Sequence, residues 1–317
     1  MGLFLGIDGG GTKTRAALGD ESAMLATALC GGSNIIRLGE AQARESIHAA
    51  VRQVCGAARV AVAQIDAVCI GAAGAARAEI AGKLRKILIE LDPQLGARVT
   101  VVGDAAIALA AAFGQGPGVI VIAGTGSISY GRDAMGQTAR AGGWGFAVSD
   151  EGSGHWIGRS AVSSLLRVRD EGRETMLRRL ILEAWHLDGI DQLIERANAT
   201  PPPEFPRLFR LVVQAAQKGD EVARELLAHA GMELATLAAI VLQRVSAAPL
   251  YVPVATTGSV FRQSEEVRRV FYNQLTGRFP GVEVLEDLIE PVIGALELAR
   301  AAGRVKSDNT DRLSDKP

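Results

Sequence analysis

Cysteine is nearly absent from this chain, which has only three cysteines among its 317 residues. Cys30, Cys55 and Cys69 are odd in number, widely spaced and set in apolar segments. Disulfide frameworks and metal-binding cysteine clusters show closely patterned pairs, so neither is predicted here. We expect the three thiols to be buried as small hydrophobic side chains.

An excess of either charge is also missing, because 34 basic residues are balanced by 35 acidic ones. Without a basic field, neither nucleic acid nor an anionic membrane is expected as the main partner. No apolar run approaches the roughly 20 residues that span a bilayer, and no charged leader precedes the first apolar strand. We therefore expect a soluble cytoplasmic protein that binds a small molecule.

The chain does have length and an alternation of strand and helix patterns. Its 317 residues, 48% of them hydrophobic, predict a folded protein of two domains. Three strand patterns within residues 3–29 are followed by alternating helix and strand patterns to about Phe113, which indicates an α/β layer architecture. The glycine-rich segment Gly114–Gly118 is typical of a linker.

The first turn of the chain is its most informative stretch. Leu3–Leu18 (LFLGIDGGGTKTRAAL) predicts strand, tight turn and strand, with Asp8 before three glycines. Backbone N–H groups of such a turn can converge on a phosphate, although a β-hairpin with a flexible tip explains the pattern equally well. Gly11 is followed by Thr12 before Lys13, which excludes a Walker A loop, and the strand pattern after the glycines excludes a dinucleotide fingerprint.

The same pattern returns after the linker. Val119–Ala123 predicts a buried strand, Gly124-Thr125-Gly126 a glycine turn that carries a hydroxyl, and Ser127–Tyr130 a return strand. Two domains of related topology, each opened by a glycine turn, are therefore expected. A helical block follows from about Ser153 to Ser246, interrupted by prolines 201–203.

Several motifs together carry a resemblance to a known family. They are Asp8 to Thr14, Ser33-Asn34, Gly103 to Ala106, Gly124 to Ser127, Gly142 to Gly145, Asp150 to Ser153, Gly258 to Val260 and Pro291 to Leu296. In order and spacing they resemble the sugar kinase, Hsp70 and actin superfamily and, within it, the BadF/BadG/BcrA/BcrD ATPase family that includes N-acetylglucosamine kinase. The resemblance spans the chain to about Arg300.

This resemblance implies two ribonuclease-H-like domains flanking a cleft for ATP and substrate, as in actin-like ATPases. The first domain is expected at residues 1–115, completed by a C-terminal helix at 290–303. The second is expected at residues 116–289, with a helical insertion. Residues 304–317 are polar and are expected to form a disordered tail. Family members are often dimers, so a homodimer is expected.

The resemblance also implies metal and nucleotide contacts. Asp8 would orient Mg²⁺ through water, because Mg²⁺ prefers oxygen ligands and keeps part of its hydration shell. The nucleotide contacts are assigned to Gly10, Gly11, Thr12, Lys13, Thr125, Gly126, Gly258 and Ser259. Simpler explanations exist for Lys13, as a solvated lysine at a turn, and for Gly258, as a turn before a helix.

Asp104 ends a predicted strand at the mouth of the sheet, where ligands bind in open α/β folds. In the kinases that the chain resembles, the matching aspartate accepts the proton of the attacking sugar hydroxyl. The simpler explanation is an N-cap for the helix that begins at Ala105. One residue could serve both roles.

Four further residues, Asn34, Gly143, Trp144 and Asp150, match the family's sugar-binding positions together with Asp104. An amide and a carboxylate suit a sugar, whose hydroxyls need hydrogen-bond partners once water is removed. Structural alternatives are a turn for Asn34, the core for Trp144, and a helix cap near Ser153 for Asp150.

The implied function is ATP-dependent phosphorylation of an amino-sugar hydroxyl, at C6 by resemblance. Glucosamine, N-acetylglucosamine and N-acetylmuramic acid stay open, because Gly71–Ala75 lacks the polar turn of the mammalian-type kinases. One rival is an electron-gating ATPase that activates a CoA-ester dehydratase or reductase; its iron–sulfur cluster would need cysteines in the cleft region. The other rival is a non-catalytic sugar sensor, which the lack of a helix-turn-helix pattern disfavours.

Overall fold

The computed structural model describes residues 2–246 and 251–314. The chain divides into two compact units. The first ends at Gly116 and resumes at Ile289, and the second runs from Pro117 to Leu288. Each unit is built around its own five-stranded sheet.

The first unit opens with three strands and then alternates helices with strands. Its elements up to the linker are β1 (Phe4–Gly9), β2 (Lys13–Gly19), β3 (Met24–Gly31), α1 (Ile35–Leu38), α2 (Glu40–Ala58), β4 (Ala67–Ala72), α3 (Ala78–Ile89), β5 (Val99–Gly103) and α4 (Asp104–Phe113). Single 3₁₀ turns at Val62–Gln64 and Pro93–Ala97 precede β4 and β5.

The strand order of the first sheet is β3-β2-β1-β4-β5. The first three strands pair antiparallel, whereas β4 and β5 run parallel to β1. β1 is buried on both faces, with Leu5 and Ile7 in one hydrophobic core and Phe4 in another on the opposite face. Burial on both faces explains why this strand is a nearly continuous apolar run.

The second unit repeats this plan and adds helices. Its elements are β6 (Gly118–Ala123), β7 (Ser127–Arg132), β8 (Thr138–Gly142), α5 (Gly154–Asp170), α6 (Met176–Trp185), α7 (Ile190–Ala197), α8 (Phe209–Gln217), α9 (Glu221–Val245), β9 (Val254–Thr257), α10 (Ser259–Gln263), α11 (Glu265–Arg278) and β10 (Val284–Leu288). A further 3₁₀ turn at Phe205–Leu208 precedes α8.

The second sheet has the order β10-β9-β6-β7-β8. Its opening strand β6 pairs antiparallel with β7 and parallel with β9, as β1 does with β2 and β4. The two sheets therefore share one topology, and the predicted α/β fold with a glycine turn opening each half is confirmed. The repeated strand, turn and strand pattern carried this information in the sequence.

The last helix, α12 (Pro291–Ser314), returns to the first unit. It packs closely against β1 and α4, because a Cβ added to Gly6 would lie 2.3 Å from Leu296 N and one added to Gly294 would lie 1.9 Å from Ile107 O. Neither contact leaves room for a side chain. Leu296 lies beside Gly6, and Gly303 lies beside Phe4, so α12 runs antiparallel to β1 and begins near the carboxyl end of that strand.

The predicted disordered tail is wrong for most of its length. α12 continues to Ser314, and residues 315–317 lie outside the described residues. A helix that is already nucleated gains one hydrogen bond for each residue added, so a polar segment can extend it without an apolar face. Composition alone did not reveal this continuation.

One strand was not predicted, and another begins later than the sequence pattern indicates. β8 was not predicted, because it is a five-residue edge strand with the sequence TARAG, too short and polar to show alternation. The strand predicted from Leu250 begins at Val254 in the structure, and Leu250 itself lies outside the described residues.

Helix α9 is long and apolar enough to cross a membrane by length and composition. In the structure, 61% of its most apolar window is buried. Its buried residues belong to the hydrophobic core of the second unit. Core packing is therefore the observed use of this apolar helix.

The close packing of α12 can be tested by changing glycine to alanine at Gly294, which is crowded, and at Gly82, which is not. Gly294→Ala is expected to destabilise the protein by about 1–3 kcal/mol, because the new methyl group would overlap the α4 backbone. Gly82→Ala in α3, where a Cβ meets nothing within 4 Å, is expected to stabilise it by about 0.5–1 kcal/mol. Urea unfolding measures both; effects of the same sign would contradict the packing.

Candidate active site

Two aspartates lie at one edge of the first sheet. Asp8 is near the end of β1, and Asp104 directly follows β5 as the first residue of α4. Because β1, β4 and β5 are parallel, their carboxyl ends meet at this edge. The structure therefore brings together the predicted metal and catalytic positions.

The two carboxyl groups lie close enough to interact electrostatically. The pKa of Asp8 is raised from 3.8 to about 6, chiefly because the group is buried and next because Asp104 lies close by. Arg15, directly opposite Asp8 on β2, and Lys13 both act to lower this pKa. A buried carboxylate beside a second one is a set of hard oxygen donors, which fits Mg²⁺, and a divalent cation would offset the repulsion between them.

Asp104 is not the N-cap of α4. Gly103 occupies the cap position, and the Ala105 N–H donates to Asp104 Oδ1 over 3.0 Å. A negative charge in the first turn of a helix is nonetheless favoured by the helix dipole. The N-cap is therefore Gly103, one residue before Asp104, and the start of α4 still stabilises the negative charge of Asp104.

The first glycine turn is fixed from behind by its own unit. Gly10 donates its N–H to Lys13 O over 3.0 Å, and Gly10 O accepts from the Ser33 N–H over 2.9 Å. The buried hydroxyl of Thr14 lies 2.7 Å from both Gly31 O and Ser33 Oγ. Thr12 and Lys13 are exposed at the tip. These contacts fix the back of the turn and leave its tip to solvent.

Asn34 follows this bracing segment and is the N-cap of α1. Its Oδ1 accepts from the Arg37 N–H over 3.2 Å. The predicted turn role is therefore observed. No acceptor for its amide nitrogen lies among the described residues, so the side chain keeps a donor that could reach a ligand hydroxyl.

The second glycine turn is docked on the start of α5. Gly124 O accepts from the Gly154 N–H over 2.8 Å, and Thr125 O accepts from the His155 N–H over 3.2 Å. Gly126 O accepts from the Gly124 N–H over 2.9 Å. All three carbonyls are thus used internally, whereas the Gly126 N–H has no acceptor among the described residues. The turn therefore presents an N–H group rather than its carbonyl oxygens.

Asp150 contacts this second turn. The residue is buried and has a positive φ of 70°. Its Oδ1 accepts from the Ser127 N–H over 3.3 Å, and a Cβ on Gly126 would lie 2.9 Å from Asp150 Oδ2. The predicted cap alternative is wrong, because Ser153 caps α5 through its own hydroxyl. The Asp150 carboxylate is directed instead at the glycine turn.

Trp144 lies on the surface of the second unit. It is 69% exposed, so the core alternative is wrong. Gly143 beside it has a φ of 68°, and a Cβ there would lie 2.8 Å from Ile128 Cδ1. Glycine is therefore required at that position by the backbone. An indole left largely in solvent suits a platform for a ligand better than a packing role.

Gly258 is the N-cap of α10, and Ser259 is the first residue of that helix. Gly258 has a φ of 110°, and a Cβ there would lie 2.2 Å from Ala123 O. The predicted turn before a helix is thus observed, and it places Gly258 against the end of β6, directly before the second glycine turn.

Several residues that contact the candidate site residues were not predicted from the sequence. Arg15 forms an ion pair with Glu290, which directly precedes α12. Arg140 stacks on Trp144, and the His155 ring lies between Phe146 and Phe205. The available signal for Arg15 was its place as the one basic residue in the apolar strand segment after Thr14. Glu290 and Arg140 gave no comparable signal because their partners are distant in sequence or lie in an irregular loop.

The cysteines lie in three different elements, β3, α2 and β4. Cys55 and Cys69 are buried, as expected, and Cys30 is partly buried. Burial raises the pKa of the Cys69 thiol to about 12. Within residues 2–246 and 251–314, no three histidine, cysteine or acidic residues group as a metal site.

Comparison with known proteins places this site in context. The sequence model of the BadF/BadG/BcrA/BcrD ATPase family matches residues 5–299. An N-acetylmuramic acid/N-acetylglucosamine kinase from Clostridium acetobutylicum is 33% identical, covering 95% of this chain and 99% of the relative. An N-acetyl-D-glucosamine kinase from Dictyostelium discoideum is 29% identical, covering 94% and 97%. A glucosamine kinase from Vibrio cholerae is 28% identical, covering 74% and 78%.

Solved structures agree with this relationship. A candidate N-acetylglucosamine kinase from Chromobacterium violaceum has a TM-score of 0.75 at 27% identity, covering 94% of this chain and 99% of that chain. A ROK-family glucokinase from Streptomyces griseus, solved with glucose and AMPPNP, has a TM-score of 0.57 at 21% identity, covering 95% and 100%. The second likeness shows the fold alone.

The raised pKa of Asp8 gives a prediction about stability and pH. The folded protein holds the Asp8 proton more tightly than the unfolded chain, so stability falls as pH rises from about 4 through about 6. The shift corresponds to at most about 3 kcal/mol. Asp8→Asn removes this cost and is expected to stabilise the protein at about pH 8, with little effect near pH 4.

Urea unfolding in EDTA at both pH values measures this difference. Equal effects of Asp8→Asn at the two pH values would contradict a buried, charge-strained Asp8. Adding Mg²⁺ near pH 8 is expected to stabilise the wild type and not Asp8→Asn, because a cation that binds only the folded state raises its stability.

Proposed function

This chain belongs to the BadF/BadG/BcrA/BcrD ATPase family, and we propose that it acts as an ATP-dependent amino-sugar kinase. The observation that carries this function is the pair Asp8 and Asp104 at one sheet edge beside a braced glycine turn. Its curated relatives, at 28% to 33% identity, are kinases of N-acetylglucosamine, N-acetylmuramic acid or glucosamine.

Asp104 is assigned as the general base. The carboxylate accepts the proton of a sugar hydroxyl while the hydroxyl oxygen bonds to the γ-phosphorus and the bond from that phosphorus to ADP breaks. Its position at the first turn of α4 holds the carboxylate in one place, because Ala105 donates to Oδ1.

Asp8 is assigned to Mg²⁺, which when bound would neutralise phosphate charge during transfer. The phosphates are assigned to Gly10, Gly11, Thr12 and Lys13 in the first unit and to Thr125 and Gly126 in the second. Support comes from the turns themselves, whose backs are satisfied internally and whose tips are exposed or retain a donor. Gly258 and Ser259 are assigned to the nucleotide base side.

The sugar is assigned to Asn34, Gly143, Trp144 and Asp150, in addition to Asp104. Asn34 retains amide donors, and the Trp144 indole offers an exposed apolar surface. N-acetylglucosamine is the preferred substrate, with N-acetylmuramic acid and glucosamine as close alternatives, and C6 is the proposed acceptor position. We further propose that the enzyme works in the cytoplasm as a homodimer.

A panel of hexosamines tests this function directly. Wild-type protein with ATP and Mg²⁺ is expected to release ADP and form a phosphosugar with N-acetylglucosamine, N-acetylmuramic acid or glucosamine, measured by a coupled assay and mass spectrometry. Asp104→Asn is expected to lower kcat by about 10²–10⁴-fold while nucleotide affinity stays within about twofold, because only proton transfer is lost.

Asp92→Asn provides a matched control in the same unit. Asp92 also begins a helical segment, and its side chain accepts from the Gln94 N–H, a role that asparagine retains. Its activity is expected to equal that of the wild type. Absence of sugar-dependent turnover on every sugar would overturn the kinase, and full activity of Asp104→Asn would remove Asp104 as its base.

A further inference from the structure

The exposed Trp144 has an arginine against its ring. Arg140, in β8, places its guanidinium carbon 4.0 Å from the centroid of the Trp144 indole. A guanidinium above an aromatic face is attracted by the ring quadrupole and stacks on it. One face of the indole is therefore occupied by protein, while the residue as a whole stays 69% exposed.

The same guanidinium also fixes the backbone that leads to the tryptophan. Arg140 Nη2 donates to Gly142 O over 3.0 Å and to Gly143 O over 3.2 Å. Both residues are glycines with a positive φ, 71° and 68°, and a glycine backbone is the least restricted of all when nothing holds it, because it has no Cβ. Arg140 thus holds both the ring and the two peptides before it.

Arg140 is itself anchored. It lies in a strand that pairs with β7, opposite Tyr130, and its carbonyl oxygen accepts from Arg244 Nη1 over 3.3 Å. Arg244 belongs to the last turn of α9, the central helix of this unit's core. The Arg140 side chain thus links strand β8 to the exposed indole ring.

An exposed tryptophan held in this way has a chemical use. An indole presents a large, flat apolar surface at low cost in conformational entropy, because it has few rotatable bonds. The apolar C–H face of a pyranose ring can be buried against such a surface. Affinity gained this way depends on the ring already being in place before the ligand arrives.

We propose that Arg140 is a positioning residue for the sugar: it holds the Trp144 indole so that its exposed surface can stack on the amino-sugar ring. This inference rests on the proposed function and adds to it a residue that need not touch the substrate. Arg140 acts through Trp144 and the carbonyls of Gly142 and Gly143.

The test combines kinetics with ¹⁹F spectra of protein that carries 5-fluorotryptophan. The chain has three tryptophans, and the Trp144 resonance is identified by its loss in Trp144→Phe. N-acetylglucosamine is expected to shift this resonance in the wild type. Arg140→Met is expected to broaden or move it before any sugar is added, and to raise the KM for N-acetylglucosamine about tenfold while kcat changes less than about twofold.

Arg140→Lys is expected to fall between Arg140→Met and the wild type, because lysine keeps the charge but not the planar fork. Trp144→Ala is expected to raise the KM at least as much as Arg140→Met. Arg210→Met is the matched control: Arg210 is exposed on α8 and has no partner among the described residues. It is expected to leave both the spectrum and the KM unchanged.

The outcomes separate this inference from the function on which it rests. A wild type without sugar-dependent turnover would overturn the kinase itself. An active wild type whose KM rises in Trp144→Ala but not in Arg140→Met would overturn the positioning role alone. If the wild type is active, its Trp144 resonance does not move with sugar, and the KM is unchanged in both Trp144→Ala and Arg140→Met, the platform and the positioning role of Arg140 would both be overturned.

Discussion

Burial of the Asp8 carboxyl group next to Asp104, at one edge of the first sheet, is the constraint on which the site of the first unit depends. Burial and the charge of Asp104 raise the pKa of Asp8, and Arg15 and Lys13 only partly offset them. Holding two such carboxyl groups together costs folding free energy, so the surrounding elements must fix them in place. Helix α4 fixes Asp104, and α12 begins beside β1, where Glu290 pairs with Arg15. Glycines at positions 6 and 294 make this close helix packing possible. The close packing of α12 against β1 and α4 thus supports an unfavourable pair of carboxyl groups.

In both glycine turns, the backbone groups on the inner side are hydrogen-bonded within the same unit. They are satisfied through Ser33 and Thr14 in the first turn and through the start of α5 in the second. A loop that is saturated on one side presents its remaining donors on the other, which suits it to anions. The Asp150 carboxylate also faces the second turn. It is not needed as a helix cap, because Ser153 caps α5.

Much of this could be predicted from the sequence, because periodicity reports local structure. The strand, turn and strand pattern repeated at Asp8 and at Gly124 predicted the opening of both sheets, and a separate strand pattern before Asp104 predicted the place of that residue at a strand end. Contacts between distant or irregular segments could not be predicted. The sequence does not show whether Trp144 lies in the core or on the surface. Its contact with Arg140 likewise depends on how an irregular loop folds. The sequence pattern likewise does not show how far α12 continues once it has formed.

The central claim is that a sugar hydroxyl oxygen attacks the γ-phosphorus of ATP with Asp104 as base. The most direct measurement uses N-acetylglucosamine labelled with ¹⁸O at C6 and follows the reaction by ³¹P NMR. The account predicts a sugar phosphate whose phosphorus resonance shows the isotope shift of a bridging ¹⁸O. A phosphorus signal found only as unlabelled inorganic phosphate would show that water, not the sugar, is the acceptor, and would contradict it.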